Sequence, residues 1–186
     1  MQNPYVKYIK VYDDALDASF CDALIEKFEM LNDKQVSTDL EGVRHFTEIN
    51  LARTPEFREE FLVMQQQAQA NIQQYMQDAG IEEGQWPEKS GFEEFRMKRY
   101  EPNDRDEFSY HVDVQDHASA RRYLVFFWYL NDVEEGGETH FFDIDQGVKP
   151  AKGRLLMFPP QWNYPHAGKK PISNTKYIVG GYLHYL

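Results

Sequence analysis

Apolar side chains recur at three- and four-residue intervals twice in the first half of the chain, the spacing of a helix with one buried face. Phe20, Leu24, Phe28 and Leu31 predict a helix over residues 19–31, with Ser19 placed to cap it. Phe57, Phe61, Met64, Ala68, Ile72, Tyr75 and Met76 predict a second over 55–79, opened by Thr54-Pro55 and closed by Gly80. The glutamines between Gln65 and Gln74 leave that apolar period intact and read as a solvated helix face. After Gly91 the rhythm shortens to aromatic and β-branched runs broken by Gly, Pro, Asn and Asp. These predict strands over 92–100, 108–112, 121–130, 138–142, 147–149, 154–158 and 176–185. The stretch Tyr123–Leu130 is apolar at nearly every position, as a strand buried on both faces requires. Helices followed by strands, with no repeat or linker between them, predict a double-sheet jelly roll or barrel backed by helices. On this reading residues 1–186 form one domain, with helical support over 1–90 and the sheet over 91–186.

Composition narrows the class. Lys and Arg number 20 against 31 Asp and Glu in 186 residues, a formal charge of −11. That balance argues against nucleic acid as a partner. An aromatic content of 15% supplies large buried areas and excludes disorder for most of the chain. The N-terminal residues MQNPYVKYIKVYDD hold no apolar core of signal-peptide length, and no run in the chain is long enough for a membrane span, so no membrane partner and a cytoplasmic location are expected. The single cysteine, Cys21, lies between Phe20 and Leu24 and reads as a buried structural thiol in a reducing compartment.

Candidate chemistry starts at His111-Val112-Asp113, where an imidazole and a carboxylate two residues apart on a strand face one side. A lone triplet of this kind is common by chance and needs a third ligand. His166, in the segment PPQWNYPHAG, sits where a side chain projects into a pocket mouth. His45, His117, His140 and His184 compete for the place and read as structural or solvated. Two histidines and one carboxylate on one face of an octahedron are the non-haem iron(II) arrangement, which leaves three positions open for other ligands.

With these residues in view the chain resembles the 2-oxoglutarate and iron(II)-dependent dioxygenases, and within them the prolyl 4-hydroxylase-like group. The family pattern is H-x-D, a distal His, and a Lys or Arg ten residues later; here these are His111, Asp113, His166 and Lys176. RRYLVFFWYLNDVEEGGETHF and RYEPNDRDEFSYHVD carry the likeness between and before them, over about Phe95 to Tyr185. The resemblance implies an α+β fold with a double-stranded β-helix (jelly-roll) core of about eight strands and N-terminal helices. It implies His111, Asp113 and His166 as iron ligands, and Lys176, Tyr100 and Thr139 as the residues that hold the distal carboxylate of 2-oxoglutarate. Arg122 and Tyr182 match substrate-side positions, with Tyr in place of the family's Trp.

The implied reaction consumes 2-oxoglutarate and O2, releases succinate and CO2, and hydroxylates an unactivated C–H bond, with ascorbate as reductant. A carboxylate at Asp113 argues for hydroxylation, because the related halogenating enzymes lack it. A peptidyl proline is the expected substrate, and residues 36–50 and 101–109 are expected to form covering loops. A free amino acid or other small molecule is the alternative substrate. A metal-binding jelly roll without turnover is the alternative of another class. Trp128 and Trp162 are expected to anchor the core and a loop. Tyr100, Tyr110, Tyr123 and Tyr182 are candidates for lining the oxidising pocket.

Overall fold

The computed structural model describes residues 3–186. In chain order the elements are β1 (Lys10–Tyr12), α1 (Ala18–Met30), β2 (Val36–Leu40), β3 (Arg44–Asn50), α2 (Arg58–Asp78), β4 (Ser90–Phe92), β5 (Arg96–Tyr100) and β6 (Glu107–His111). There follow β7 (Arg122–Tyr129), β8 (Thr139–Phe141), β9 (Gln146–Val148), β10 (Leu155–Phe158), β11 (His166–Gly168) and β12 (Lys176–Tyr185). All twelve strands join one antiparallel sheet in the order β1-β10-β7-β12-β5-β3-β6-β11-β8-β9, with β2 on β3 and β4 on β12. The sheet rolls into a nearly closed jelly-roll barrel, so that its two halves meet across an interior. Phe141 of β8 packs edge-on against Phe158 of β10, with ring centroids 4.7 Å apart.

The strict alternation of a strand explains both layers of the core. From β7, Leu124, Phe126 and Trp128 point outward, while Val125 and Tyr129 point into the roll. From β10, Leu155 and Met157 go out and Leu156 and Phe158 go in. The outer set is covered by Leu24 and Phe28 of α1 and by Met64, Ala68 and Tyr75 of α2. Cys21 is completely buried in that layer, and burial pushes its thiol pKa up to about 11, as an inert packing residue requires. Gly180 of β12 crosses β7 so closely that a side chain there would run into the Phe126 carbonyl and the Phe127 backbone. Among the described residues, no helix is long and apolar enough to cross a membrane.

Several sequence expectations are corrected here. The cap of α1 is Asp17, whose carboxylate accepts from the amides of Ser19 (2.8 Å) and Phe20 (3.1 Å). Pro55–Phe57 is a 3-10 turn, with α2 beginning at Arg58. The stretch 92–100 is two strands, β4 and β5, interrupted where Glu93 and Glu94 turn to neighbouring cations. Residues 36–50 are the β2–β3 hairpin, and 101–109 form a short loop that runs into β6. The first ninety residues are therefore more than helical support, since β3 lies inside the sheet between β5 and β6. Trp128 is fully buried, whereas Trp162 is 78% exposed and anchors nothing.

Candidate metal and carboxylate site

Strand pairing brings the ligand candidates together. His111 ends β6 and His166 begins β11, and the two are direct partners in the ladder. Asp113 follows two residues after His111, where its amide and that of Val114 both donate to the Pro160 carbonyl at 3.2 Å. The Pro159-Pro160 segment thus holds the turn that aims the carboxylate inward. One nitrogen or oxygen from each of His111, Asp113 and His166 lies within 4.8 Å of the others, and among the described residues no other group of His, Cys, Asp or Glu does this. His111 Nε2 is 3.7 Å from Asp113 Oδ1, and His166 Nε2 is 3.6 Å from Asp113 Oδ2.

The surroundings settle which atoms face the centre. His111 Nδ1 donates to the Ser109 carbonyl at 2.7 Å and His166 Nδ1 to the Tyr164 carbonyl at 3.0 Å, leaving both Nε2 lone pairs pointed at Asp113. Phe108 stacks flat on His111 at 3.5 Å, and Phe158 meets His166 edge-on at 4.8 Å. Asp113 Oδ1 accepts from the Tyr182 hydroxyl at 2.7 Å, but Oδ2 is buried without a hydrogen-bond partner. Burial alone would raise the Asp113 carboxyl; His166, His111 and Tyr182 together hold it well below the usual carboxylate range. Burial pushes His166 down to about 4, so its ring is neutral near pH 7. Two imidazoles with inward-facing Nε2 atoms and a carboxylate with an orphaned oxygen are a donor set that fits a divalent cation.

The same inner cavity, of about 70 Å³, also holds Lys176, Tyr100, Thr139 and Tyr129. Lys176 is 2% exposed, and its ammonium donates to the carbonyls of Gly137 (3.0 Å) and Lys169 (3.3 Å) and lies 4.3 Å over the Tyr100 ring. Burial drives its pKa down to about 7, only partly opposed by Glu138. Thr139 Oγ1 and the Tyr129 hydroxyl share a hydrogen bond of 2.6 Å. A buried cation beside two hydroxyls, without a carboxylate of its own among the described residues, fits the far carboxylate of a small diacid.

Arg122 and Tyr182 are brought together: the guanidinium carbon lies 4.0 Å over the Tyr182 ring. Arg122 also binds Glu93 through Nη2 at 2.9 Å and the Asp113 carbonyl through Nη1 at 3.1 Å. Both residues therefore brace the carboxylate ligand. His45 pairs with Asp106 at 2.6 Å, His140 and His184 lie 3.7 Å from Asp145 and Glu93, and His117 is exposed in a turn. Tyr110 is 63% exposed and Tyr123 packs on Trp86 outside the roll, so neither lines the cavity. The sequence reading missed Tyr129 and Lys98, which both line it. Alternation was the available signal: Lys98 shares its strand face with Tyr100, and Tyr129 shares its face with Val125.

Residues 95–184 match the model of the 2OG-Fe(II) oxygenase superfamily. The matched segment, just under half of the chain, holds the candidate site and is similar to that superfamily. That superfamily uses Fe(II), 2-oxoglutarate and O2, and the His-His-Asp donor set fits its metal. The whole fold is similar to the viral collagen prolyl hydroxylase of Paramecium Bursaria Chlorella virus-1, with 22% identity, a TM-score of 0.71, and coverage of 96% of this chain and 97% of that one. It is similar also to a prolyl-4-hydroxylase of Pseudomonas putida (19% identity, TM-score 0.68, 96% and 92% covered). A Trichoplax adhaerens prolyl hydroxylase, solved with a hypoxia inducible factor peptide fragment, gives 14% identity and a TM-score of 0.72, over 96% of this chain and 84% of that one. Comparison with curated proteins gives no match.

Proposed function

We propose that the protein is a 2-oxoglutarate- and Fe(II)-dependent hydroxylase in which His111, Asp113 and His166 hold the metal and Lys176 holds the distal carboxylate of 2-oxoglutarate. The observation that carries this reading is one cavity with a metal-type donor set and a buried, carboxylate-free ammonium. Bound Fe(II) supplies the redox chemistry that activates O2. The residues of this chain supply placement. The Ser109 and Tyr164 carbonyls orient the imidazoles, Tyr182 orients the carboxylate, and Thr139, Tyr129 and the ring of Tyr100 surround the ammonium. The aromatic walls of Phe108, Phe127 and Phe158 keep the interior poor in water, so charge interactions there are strong.

The proposed substrate is a prolyl residue in a peptide, with succinate and CO2 as co-products and ascorbate as the reductant that restores Fe(II). Support for a peptide comes from the open groove of about 700 Å³ between the β2–β3 hairpin and the loop after His111, which gives an extended chain a place to lie beside the triad. The test is succinate release by the purified protein with Fe(II), ascorbate, 2-oxoglutarate and prolyl peptides. Release that depends on 2-oxoglutarate and disappears in Asp113→Ala, with one oxygen atom added to the peptide, supports the reading. A protein that binds metal but releases no succinate with any peptide or free amino acid is the non-catalytic module instead.

A further inference from the structure

Of the groove's cations, Lys98 and Arg44 make no ion pair among the described residues, and of these two only Lys98 also lines the triad's cavity. Arg96 binds Glu48 at 2.8 Å and Glu94 at 3.4 Å, Arg122 binds Glu93 at 2.9 Å, and Arg53 binds Glu94 at 2.5 Å. Lys98, between Arg96 and Tyr100 on the inward face of β5, makes neither an ion pair nor a side-chain hydrogen bond among the described residues. Its ammonium lies 4.6 Å from the Phe46 ring and 5.8 Å from the Phe108 ring.

The position of Lys98 is as telling as its isolation. It lines the inner cavity with the triad, the hairpin groove, and a neighbouring cleft of about 490 Å³ beside Arg122 and Tyr182. It therefore stands where three spaces meet, next to the reacting end of anything laid in the groove. The carboxylates whose fields reach it have other roles: Glu48 is paired with Arg96, and Asp113 accepts from Tyr182 on Oδ1 and faces the two imidazoles of the candidate metal site. Burial holds its pKa below that of an ordinary lysine, against the pull of Glu48 and Asp113. A desolvated ammonium without an anion costs stability, and it is relieved when a ligand brings the missing charge. The 2-oxoglutarate carboxylate already has its own cation in Lys176.

We propose that Lys98 is a specificity-determining residue that binds a carboxylate of the substrate, placed close to the carbon to be hydroxylated. This rests on the reading of His111, Asp113 and His166 as the reacting centre. It runs against the bulk charge of −11, which would favour basic ligands; the local groove selects an acidic one. The carboxylate belongs either to an acidic side chain beside a proline in a peptide or to the α-carboxylate of a free amino acid.

Equilibrium binding decides this without requiring turnover. The protein loaded with Mn(II) and 2-oxoglutarate is titrated in a calorimeter with the blocked peptides Gly-Pro-Glu-Gly, Gly-Pro-Gln-Gly and Gly-Pro-Lys-Gly, and with free L-proline. The acidic peptide, or free proline if the α-carboxylate is the group read, binds at least about tenfold more tightly than the neutral peptide. That preference disappears in Lys98→Gln, persists in Lys98→Arg, and turns toward the lysine peptide in Lys98→Glu. Retained 2-oxoglutarate binding certifies that each variant is folded. Equal affinities in the wild type, no binding of any probe, or a preference that survives Lys98→Gln overturns the proposal. A Lys98-dependent preference with no succinate release overturns the hydroxylase reading and leaves the carboxylate site standing.

Discussion

The two faces of β7 make opposite use of the same backbone. Outward, Leu124, Phe126 and Trp128 meet helices and carry no charge. Inward, Val125, Phe127 and Tyr129 share a layer with Lys98, Lys176 and the His-Asp-His cluster. The outer layer gains stability from every contact, at about 25 cal/mol per Å² of apolar surface buried. The inner layer contains an orphaned carboxylate oxygen and two ammonium groups without carboxylate partners, and such groups lower stability until ligands arrive. The comparison teaches that the helices on one side sustain an unfavourable arrangement on the other.

Substitutions on the two faces should therefore separate stability from binding. The largest effect is expected outside: Trp128→Ala opens a cavity in a fully buried layer and should cost about 3–5 kcal/mol of unfolding free energy, read by urea denaturation. If its loss equals that of an exposed aromatic such as Trp162→Ala, the outer layer does not carry the fold. Inside, Lys176→Met removes a buried charge and should leave the ligand-free protein as stable as the wild type or more so. The same change should weaken 2-oxoglutarate binding by roughly a hundredfold, the loss expected for hydrogen bonds to a charged group. A variant that lost stability instead would make Lys176 a structural residue and collapse the contrast.

Titration sharpens the same contrast. Because the Lys176 pKa is about 7 in the fold and 10.5 in the free side chain, the unfolded chain binds more protons between those values. Its contribution to ligand-free stability thus rises from pH 7 toward 10.5 and is at its worst below 7. On the proposed reading, binding of 2-oxoglutarate needs the ammonium. Below pH 7 the proton is already present, and above it each binding event takes one up, so affinity should fall by up to about tenfold per pH unit. Calorimetry in two buffers of different ionisation enthalpy measures that uptake at pH 8; none at all would place the charged group elsewhere. The smallest effect is expected from Tyr182→Phe, which removes the hydroxyl from Asp113 Oδ1. Metal affinity should drop by about tenfold, with little change in unfolding.

The sequence was legible where burial is periodic. The run Tyr123–Leu130 announced a strand covered on both sides, and the helical stripe from Phe57 to Met76 survived its glutamines. The hairpin β2–β3 escaped because VSTDL and RHFTEIN carry only Phe46 and Ile49 as buried apolar positions, too few to set a period of two. Strands β1, β4 and β11 have three residues each, too few for alternation; β8 and β9 are as short, and were legible from the Gly and Asp residues that bound them. The His-Asp-His cluster was visible through its motif spacing. Lys98 and Tyr129 have no motif; they stand out only once β5 and β7 are known to curl around one interior.

The pairing of His111 with His166 has a consequence for how the molecule is made. Asp113 is a near neighbour of His111 along the chain, but His166 reaches them only after β7, β8, β9 and β10 have been laid down between. Contacts between residues so far apart in sequence form late, because the loop that joins them must first be closed. A nascent chain therefore carries two of the three donors and gains the third when the roll shuts. If the three residues hold the proposed metal, its capture times that last step, and the rate at which the refolding protein acquires metal will report when β11 docks.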